Sequence, residues 1–325
     1  MEHLNTKSLE ISLTLGEIRA AHDRIRPHVH RTPVLTSSRL NDASGASLFF
    51  KCENLQKIGA FKARGATNAV FALEETTARC GVATHSSGNH AQALAVAAKQ
   101  RGIPAYIVMP SNSAKVKIAA VEGYGAKIVF CEPTLSAREK TCDEVIAETG
   151  ATLIHSFENS DVMAGQGTAA LEVLDQVPDL DVIMCPIGGG GLLSGTAVAA
   201  KSLRPKIQVI AAEPANADDA AQSFRAGHLI QNASANTIAD GLRTNVGAPN
   251  FAIIQEYVDD IVTVSEESIV AGMRMIWEAM KIIVEPSAAV PFAAILENKI
   301  DPRGKRLSII VSGGNVDLDA LPWAS

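Results

Sequence analysis

Short runs rich in valine and isoleucine alternate, along most of this chain, with longer alanine-rich segments whose apolar residues recur at helical spacing. Ala105–Met109, Lys127–Phe130, Val182–Cys185, Val209–Ala212 and Leu307–Val311 are apolar almost throughout, which predicts strands buried on both faces. Ala91–Gln100, Ser113–Gly123, Ser136–Thr149, Gly167–Gln176 and Glu266–Met280 predict helices, several opened by Ser or Thr and closed near Gly. Alternation of this kind builds mainly parallel, twisted sheets covered by helices, so the predicted class is α/β. The 325 residues suffice for two compact units or one large one. No fixed-period repeat or Pro/Gly/Ser-rich linker divides them, so a second domain is expected as an insertion. The last strand ends about ten residues from the C-terminus, where no separate regulatory domain is expected.

The formal net charge is −6 and no Lys/Arg run is interleaved with aromatics, which argues against nucleic acid as a partner. Hydrophobic residues make up 47% and charged residues 20%, far from the composition of disorder, so the whole chain is expected to fold. Ile187–Ala200, among the longest apolar stretches, is broken by glycines and too short for a membrane span, and Met1–Ser12 lacks an apolar signal core. A soluble, cytoplasmic protein is expected. Cys52, Cys80, Cys131, Cys142 and Cys185 are odd in number and contain no C-x-x-C pair, which speaks against a disulfide framework or a structural zinc.

Five segments carry polar chemistry at the ends of predicted strands or the starts of helices. In Gly59-Ala60-Phe61-Lys62-Ala63-Arg64-Gly65-Ala66 a lysine lies among small and apolar residues. Burial there lowers an amine's pKa and leaves it free to attack a carbonyl; the alternative is a solvated surface lysine. Thr84-His85-Ser86-Ser87-Gly88-Asn89-His90-Ala91 places more polar groups before a helix than capping requires, and such a helix start can hold a carboxylate or an aromatic hydroxyl. Gly188-Gly189-Gly190-Gly191-Leu192 follows a buried strand and precedes a helix, which suits close approach of a phosphate. It lacks both the G-x-G-x-x-G spacing and the P-loop lysine, so a nicotinamide-binding oxidoreductase is disfavoured. Ser312-Gly313-Gly314-Asn315 ends a strand, where a hydroxyl can meet a ring nitrogen or simply close a turn. Glu213-Pro214-Ala215-Asn216-Ala217-Asp218-Asp219 offers two carboxylates and a carbonyl for a hard cation, or forms an acidic surface turn.

Taken in order, GAFKARGA, SSGNHA, PIGGGG and VSGGN resemble the serine racemase and serine/threonine dehydratase branch of the fold-type II pyridoxal-phosphate (PLP) enzymes, which includes 3-hydroxyaspartate ammonia-lyase. The likeness covers nearly the whole chain, including His30-Arg31-Thr32-Pro33, Ala164-Gly165-Gln166-Gly167, Thr237-Ile238-Ala239-Asp240-Gly241 and Val284-Glu285-Pro286-Ser287. It implies two open, twisted, mainly parallel sheets with helices on both faces. A large PLP-binding domain would comprise residues 1–70 and 158–325, with a smaller mobile domain, 71–157, inserted.

The resemblance further implies that Lys62 carries PLP as a Schiff base, that Gly188, Gly189, Gly190, Gly191 and Leu192 hold its phosphate, that Asn89 contacts the ring hydroxyl, that Phe61 flanks the ring and that Ser312 faces the pyridine nitrogen. A neutral serine there makes the ring a weaker electron sink than a carboxylate would, which suits elimination. Ser86, Ser87, Gly88 and Asn89 would bind the substrate α-carboxylate, and Ser87 is similar to the serine that exchanges a proton with Cα in racemases. Glu213, Ala217 (through its carbonyl) and Asp219 match the family's divalent-metal site, for Mg²⁺ or alternatively Ca²⁺ or Mn²⁺. Arg138 lines up with an arginine near the distal end of the substrate, where it would pair with a second carboxylate; otherwise it is a solvated helix charge.

The implied activity is elimination of water and then ammonia from 3-hydroxyaspartate, serine or threonine. Serine or aspartate racemisation with side elimination is the alternative, and a catalytically silent PLP carrier is a third reading. Ile58 and Ala60 depart from the family's usual Thr and Ser, and Phe157 is the dehydratase-like residue where the animal racemase has Asn; these favour the dehydratase. A homodimer is expected by resemblance.

Overall fold

The computed structural model describes residues 13–232 and 234–323. The segment Met1–Ser12, read above for a signal sequence, lies outside them. Ten strands occur among the described residues: β1 (Val34–Leu35), β2 (Ser47–Cys52), β3 (Val82–His85), β4 (Ala105–Pro110), β5 (Lys127–Cys131), β6 (Thr152–Leu153), β7 (Val182–Pro186), β8 (Gln208–Pro214), β9 (Asp260–Val264) and β10 (Arg306–Val311). They form a six-stranded sheet in the order β1-β2-β10-β7-β8-β9 and a four-stranded sheet in the order β5-β4-β3-β6. Every pairing is parallel except β1 with β2. The class and the two mainly parallel sheets are those expected.

The unbroken apolar character of the strands has a direct cause. Ile183, Cys185, Val209 and Ala211 enter one apolar cluster, while their neighbours Val182, Met184, Ile210 and Ala212 enter another on the opposite face. Helices cover both faces, so neither side of the sheet can be polar. The four-stranded sheet repeats this on a smaller scale, with Val82, Ile107 and Met109 in one cluster and Ala83 and Val108 in another.

Helix ends follow their caps. The helix expected over Gly167–Gln176 begins seven residues earlier and spans Ser160–Gln176, because Asn159 Oδ1 accepts from the Val162 N–H at 2.9 Å and supplies the N-cap. Glycines in its first turns hid the periodicity. They are required by contact: a Cβ on Gly165 would lie 2.6 Å from Gly65 Cα, and one on Gly195 would lie 2.4 Å from the Met163 carbonyl. Three helices (Lys62–Ala72, Ser160–Gln176 and Gly191–Leu203) therefore stack with their backbones almost touching.

Behind this stack lies a buried ionic cluster. Arg64 donates from Nε to Glu53 at 2.7 Å and from Nη1 to Glu172 at 2.8 Å, and Lys51 Nζ donates to Glu172 at 2.6 Å and to the Thr32 carbonyl at 2.8 Å. Burial pushes the Glu172 carboxyl upward, but Arg64 and Lys51 outweigh it and hold its pKa below the ordinary value. Two cations and two carboxylates with shared hydrogen bonds can be buried together; removing one leaves uncompensated charge. Arg64→Ala is expected to destabilise the protein by about 3–5 kcal/mol. Removing Arg31, whose pair with Asp175 is exposed, should cost under about 1 kcal/mol. Urea-unfolding midpoints of the two variants check the contrast, and similar losses would contradict it.

Candidate active site

The sequence motifs gather because each follows the carboxyl end of a parallel strand, where open α/β sheets bind ligands. Ser86–Asn89 follow β3, Gly188–Gly191 follow β7, Ala217 and Asp219 follow β8, and Ser312 follows β10. The lysine segment is zipped to the last of these. Ala60 bridges Gly313, the Phe61 N–H donates to the Ser312 carbonyl at 2.9 Å, and the Gly314 N–H donates to the Gly59 carbonyl at 2.9 Å. Gly59 adopts φ +69°, the left-handed region that glycine occupies without steric cost.

Lys62 opens its helix as expected. Its Nζ donates to the Ser156 carbonyl at 2.8 Å and lies 5.2 Å from the centre of the Phe61 ring. Burial lowers its pKa from 10.5 to about 8. A drop of that size raises the free-amine fraction at neutral pH by about two to three orders of magnitude.

Three histidines share this corner. His90 Nε2–H donates to the Ile154 carbonyl at 2.9 Å, and burial with the charge of Lys62 brings its pKa down to about 3. Burial, then His85 and Lys62, bring His155 down to about 4; its Nδ1 accepts from the Glu158 N–H at 2.9 Å, and its ring meets Phe157 edge-on with centres 4.6 Å apart. The His85 ring is 5.8 Å from that of His155, and burial followed by the Arg138 charge lowers its pKa. Arg138 is half-buried in the helix Leu135–Thr149, near enough to His85 for its charge to act there.

The glycine loop ends at Gly190, which takes φ +93° and opens the helix Gly191–Leu203 without a side-chain cap. Its first N–H groups are therefore left for a ligand, with the positive end of the helix dipole behind them. The side-chain face of the loop is walled off by protein. A Cβ on Gly189 would lie 2.3 Å from the Phe157 ring, one on Gly190 2.8 Å from Asn250 Cβ and one on Gly188 3.1 Å from Leu242 Cα. A buried amine of depressed pKa, an adjoining aromatic ring and an uncapped glycine turn fit PLP.

Ser86, Ser87 and Gly88 are half-buried in the turn before the helix Asn89–Arg101, and the Gly88 N–H donates to Ser86 Oγ at 3.4 Å. Asn89 Nδ2 donates to both oxygens of Glu285 at 3.1 and 3.2 Å. Ser312 is 2% exposed. Glu213 and Asp219 are buried apart from this turn, accepting from the Ala221 and Val246 N–H groups at 2.6 and 2.7 Å. Burial raises their pKa values to about 9 and about 6. Among the described residues no group of three His, Cys, Asp or Glu side chains is arranged to hold a metal. Two buried acids with no basic partner among the described residues, close in sequence to Ala217, nevertheless match the oxygen chemistry of a hard cation.

Ser156, His85, His155 and Glu285 were not assigned as site residues from the sequence. His85 stood inside a quoted motif and Glu285 directly before a helix-starting proline, where an acid reads as a simple cap. Ser156 acts through its carbonyl, which no residue pattern reveals.

Comparisons with known proteins agree with this geometry. Residues 25–313 match the family described as "Pyridoxal-phosphate dependent enzyme". The chain is 52% identical over 313 residues to a serine racemase of Arabidopsis thaliana, covering 95% of this chain and 94% of that protein. It is 50% identical over 310 residues to the beta-hydroxyaspartate dehydratase of Paracoccus denitrificans, covering 95% and 98%. The crystal structure of serine racemase from Dictyostelium discoideum superposes with a TM-score of 0.91 at 51% identity, over 94% of this chain and 99% of that one. The chain therefore belongs to the family of pyridoxal-phosphate dependent enzymes, within the branch that contains serine racemases and beta-hydroxyaspartate dehydratase.

Proposed function

We propose that the protein is an ammonia-lyase that eliminates water from a small β-hydroxy amino acid and yields a keto acid and ammonia, with 3-hydroxyaspartate, serine or threonine as substrate. Support for this reading comes from the Lys62 amine, which burial depresses to about 8, together with half-buried Arg138, whose charge acts on His85. Such an arginine can pair bidentately with a second carboxylate, which favours 3-hydroxyaspartate. The dehydratase relative supports the same substrate class.

When bound, PLP supplies an aldehyde that condenses with amines and a ring that accepts the electron pair left at Cα. Lys62 would hold the cofactor through its Nζ, and the same amine, when free, would accept the Cα proton. Ser86, Ser87, Gly88 and Asn89 receive the α-carboxylate. Phe61 flanks the ring, Ser312 faces its nitrogen, and the N–H groups of Gly188–Leu192 hold the phosphate. The β-hydroxyl would take up a proton and leave as water, balancing the proton that Lys62 accepts from Cα, and the released unsaturated amino acid would tautomerise and add water to give keto acid and ammonia.

A racemase is the second reading. Ser87, half-buried in the turn after β3 and similar to the serine that exchanges a proton with Cα in racemases, would return a proton to the other face of Cα, and the serine racemase relatives support this reading.

The inserted-domain reading, 71–157 within 1–70 and 158–325, is supported by β3 to β6, which form the small sheet alone. The helix Lys62–Ala72 packs Ala66, Ala69 and Val70 into that sheet's apolar cluster, so the boundary falls inside a packed element. Closure of the two units would exclude water from the site. Glu213, Asp219 and the Ala217 carbonyl are proposed to hold Mg²⁺, Ca²⁺ or Mn²⁺. No helix among the described residues is long and apolar enough to cross a membrane, and the five cysteines are free, which supports a reducing cytoplasm. A homodimer is proposed on the resemblance.

Incubation of the PLP-loaded protein with L-serine, L-threonine or each 3-hydroxyaspartate stereoisomer should give keto acid and ammonia without the opposite enantiomer. Chiral chromatography that instead shows rapid formation of D-serine or D-aspartate would replace this reading with racemisation. Lys62→Ala should lower turnover by at least about 1000-fold. In protein stripped of PLP, the rate of cofactor uptake should rise with pH and be half-maximal near 8, because only the deprotonated amine attacks; a midpoint near 10.5 would show an unperturbed lysine. Mg²⁺ added to chelated protein should raise its melting temperature, and Asp219→Asn should abolish the response.

A further inference from the structure

Between the turn after β3 and the glycines after β10 sits a carboxylate with no role in the reading above. Glu285 is 4% exposed, and none of the ion pairs among the described residues includes it. Its oxygens accept from Asn89 Nδ2 at 3.1 and 3.2 Å, and Oε2 also accepts from the Asn315 N–H at 3.1 Å. The Asn315 side chain completes the ring: its Nδ2 donates to Asn89 Oδ1 at 2.8 Å and to the Ile58 carbonyl at 2.7 Å. The Glu285 N–H donates to the Gly313 carbonyl at 3.0 Å, and a Cβ on Gly313 would lie 2.6 Å from Glu285 Oε1. The backbone beside Ser312 thus rests on this carboxylate.

An ionised carboxylate only accepts, so it satisfies the Asn89 amide and the Asn315 N–H together; glutamine offers one acceptor and one donor. The arrangement fixes which end of the Asn89 amide points where. Its donor end meets Glu285 and its acceptor end meets Asn315. An amide nitrogen carries two hydrogens, so engagement of one leaves the other for a ligand oxygen.

We propose that Glu285 is a positioning residue that locks the Asn89 amide and ties the β3 turn to the end of β10, thereby setting how Asn89 meets the ring hydroxyl of bound PLP. This rests on the reading that Asn89 contacts that hydroxyl. The groups facing Glu285 are Asn89, Asn315, Asp240 and Lys117, the last two paired with each other at 2.8 Å. Burial foremost raises its pKa to about 7, with Asp240 adding to the rise and Asn89, Asn315 and Lys117 opposing it. The lock changes from acceptor-only to protonated close to neutral pH.

The test compares four PLP-loaded proteins: the parent, Glu285→Gln, Asn89→Ala and the double variant. PLP content, melting temperature, visible absorbance across pH 6–9, kcat and KM are measured for each. Glu285→Gln should retain full PLP content, shift the midpoint of the absorbance titration, and lower kcat about ten- to a hundredfold with little change in KM, the span expected for losing a hydrogen bond to a charged acceptor. The double variant should be no worse than Asn89→Ala, because Glu285 acts through Asn89. Additive losses in the double variant, or a Glu285→Gln titration that overlays the parent, would overturn the proposal. If Asn89→Ala itself leaves the titration unmoved, the ring-hydroxyl reading fails and takes the positioning role with it. Should Glu285→Gln fold poorly, Glu285→Asp, which keeps an acceptor-only group, should recover part of the parent midpoint; no recovery would count against the lock.

Discussion

The buried guanidinium of Arg64 anchors the site. It stands two residues beyond Lys62 on the same helix, and residues so spaced point to nearly opposite sides. The side that carries Arg64 is fixed by Glu53, Glu172 and Thr168, the last accepting at 3.1 Å, all reached from separate segments. The opposite side therefore cannot rotate, and Lys62 is delivered to one place. An ionic core is a poor source of net stability compared with apolar packing, but it tolerates few alternative arrangements. Orientation is what a lysine proposed to hold a cofactor requires.

A second restraint acts from the other direction. The Gly59–Lys62 segment runs beside the end of β10, joined by the Ala60–Gly313 bridge and two flanking hydrogen bonds. Asn315 then reaches Asn89 in the turn after β3, across to the other sheet. Lys117 and Asp240 make a further link at 2.8 Å, with both side chains partly exposed. Exposed pairs of that kind contribute little energy and part readily, whereas the Asn89–Glu285 contact is partly buried and ends on a carboxylate that is 4% exposed. The turn after β3 is thus tied to the large sheet by sheltered contacts and an exposed one, which differ in how readily they part.

Much of this was legible because parallel sheets place function at predictable points. Strand ends could be read from apolar runs, and the polar or glycine-rich residues after them had to line a common edge. The glycines needed a second reason that the sequence did not display. Gly189 is required by the ring of Phe157 and Gly190 by Asn250, so the loop's composition answers to protein neighbours as much as to a phosphate. The ionic core was invisible for a different reason: Lys51, Arg64 and Glu172 are far apart in the chain, and nothing in their local surroundings distinguishes them from surface charges. Arg64 was quoted within a motif yet carried no signal of burial. Likewise Gly165 and Gly167 lie where helices approach closely, a contact that their sequence alone does not display.

The electrostatics of the pocket follow from how few charges it can sustain. His90 and His155, with pKa values of about 3 and 4, stay neutral at any physiological pH, chiefly because burial disfavours further positive charge, with Lys62 adding to the effect. The same logic applied to Lys62 leaves it close to half-protonated just above neutrality. Neutral histidines occupy volume, orient hydrogen bonds and keep water out without competing for the substrate's carboxylates. With the histidines neutral, the positive charge acting on this corner comes from Lys62 and Arg138, beside the uncapped N–H groups of the helix that follows the glycine loop. The burial that empties the histidines of protons is the same burial that lowers the pKa of Lys62 and leaves part of its amine free near neutral pH.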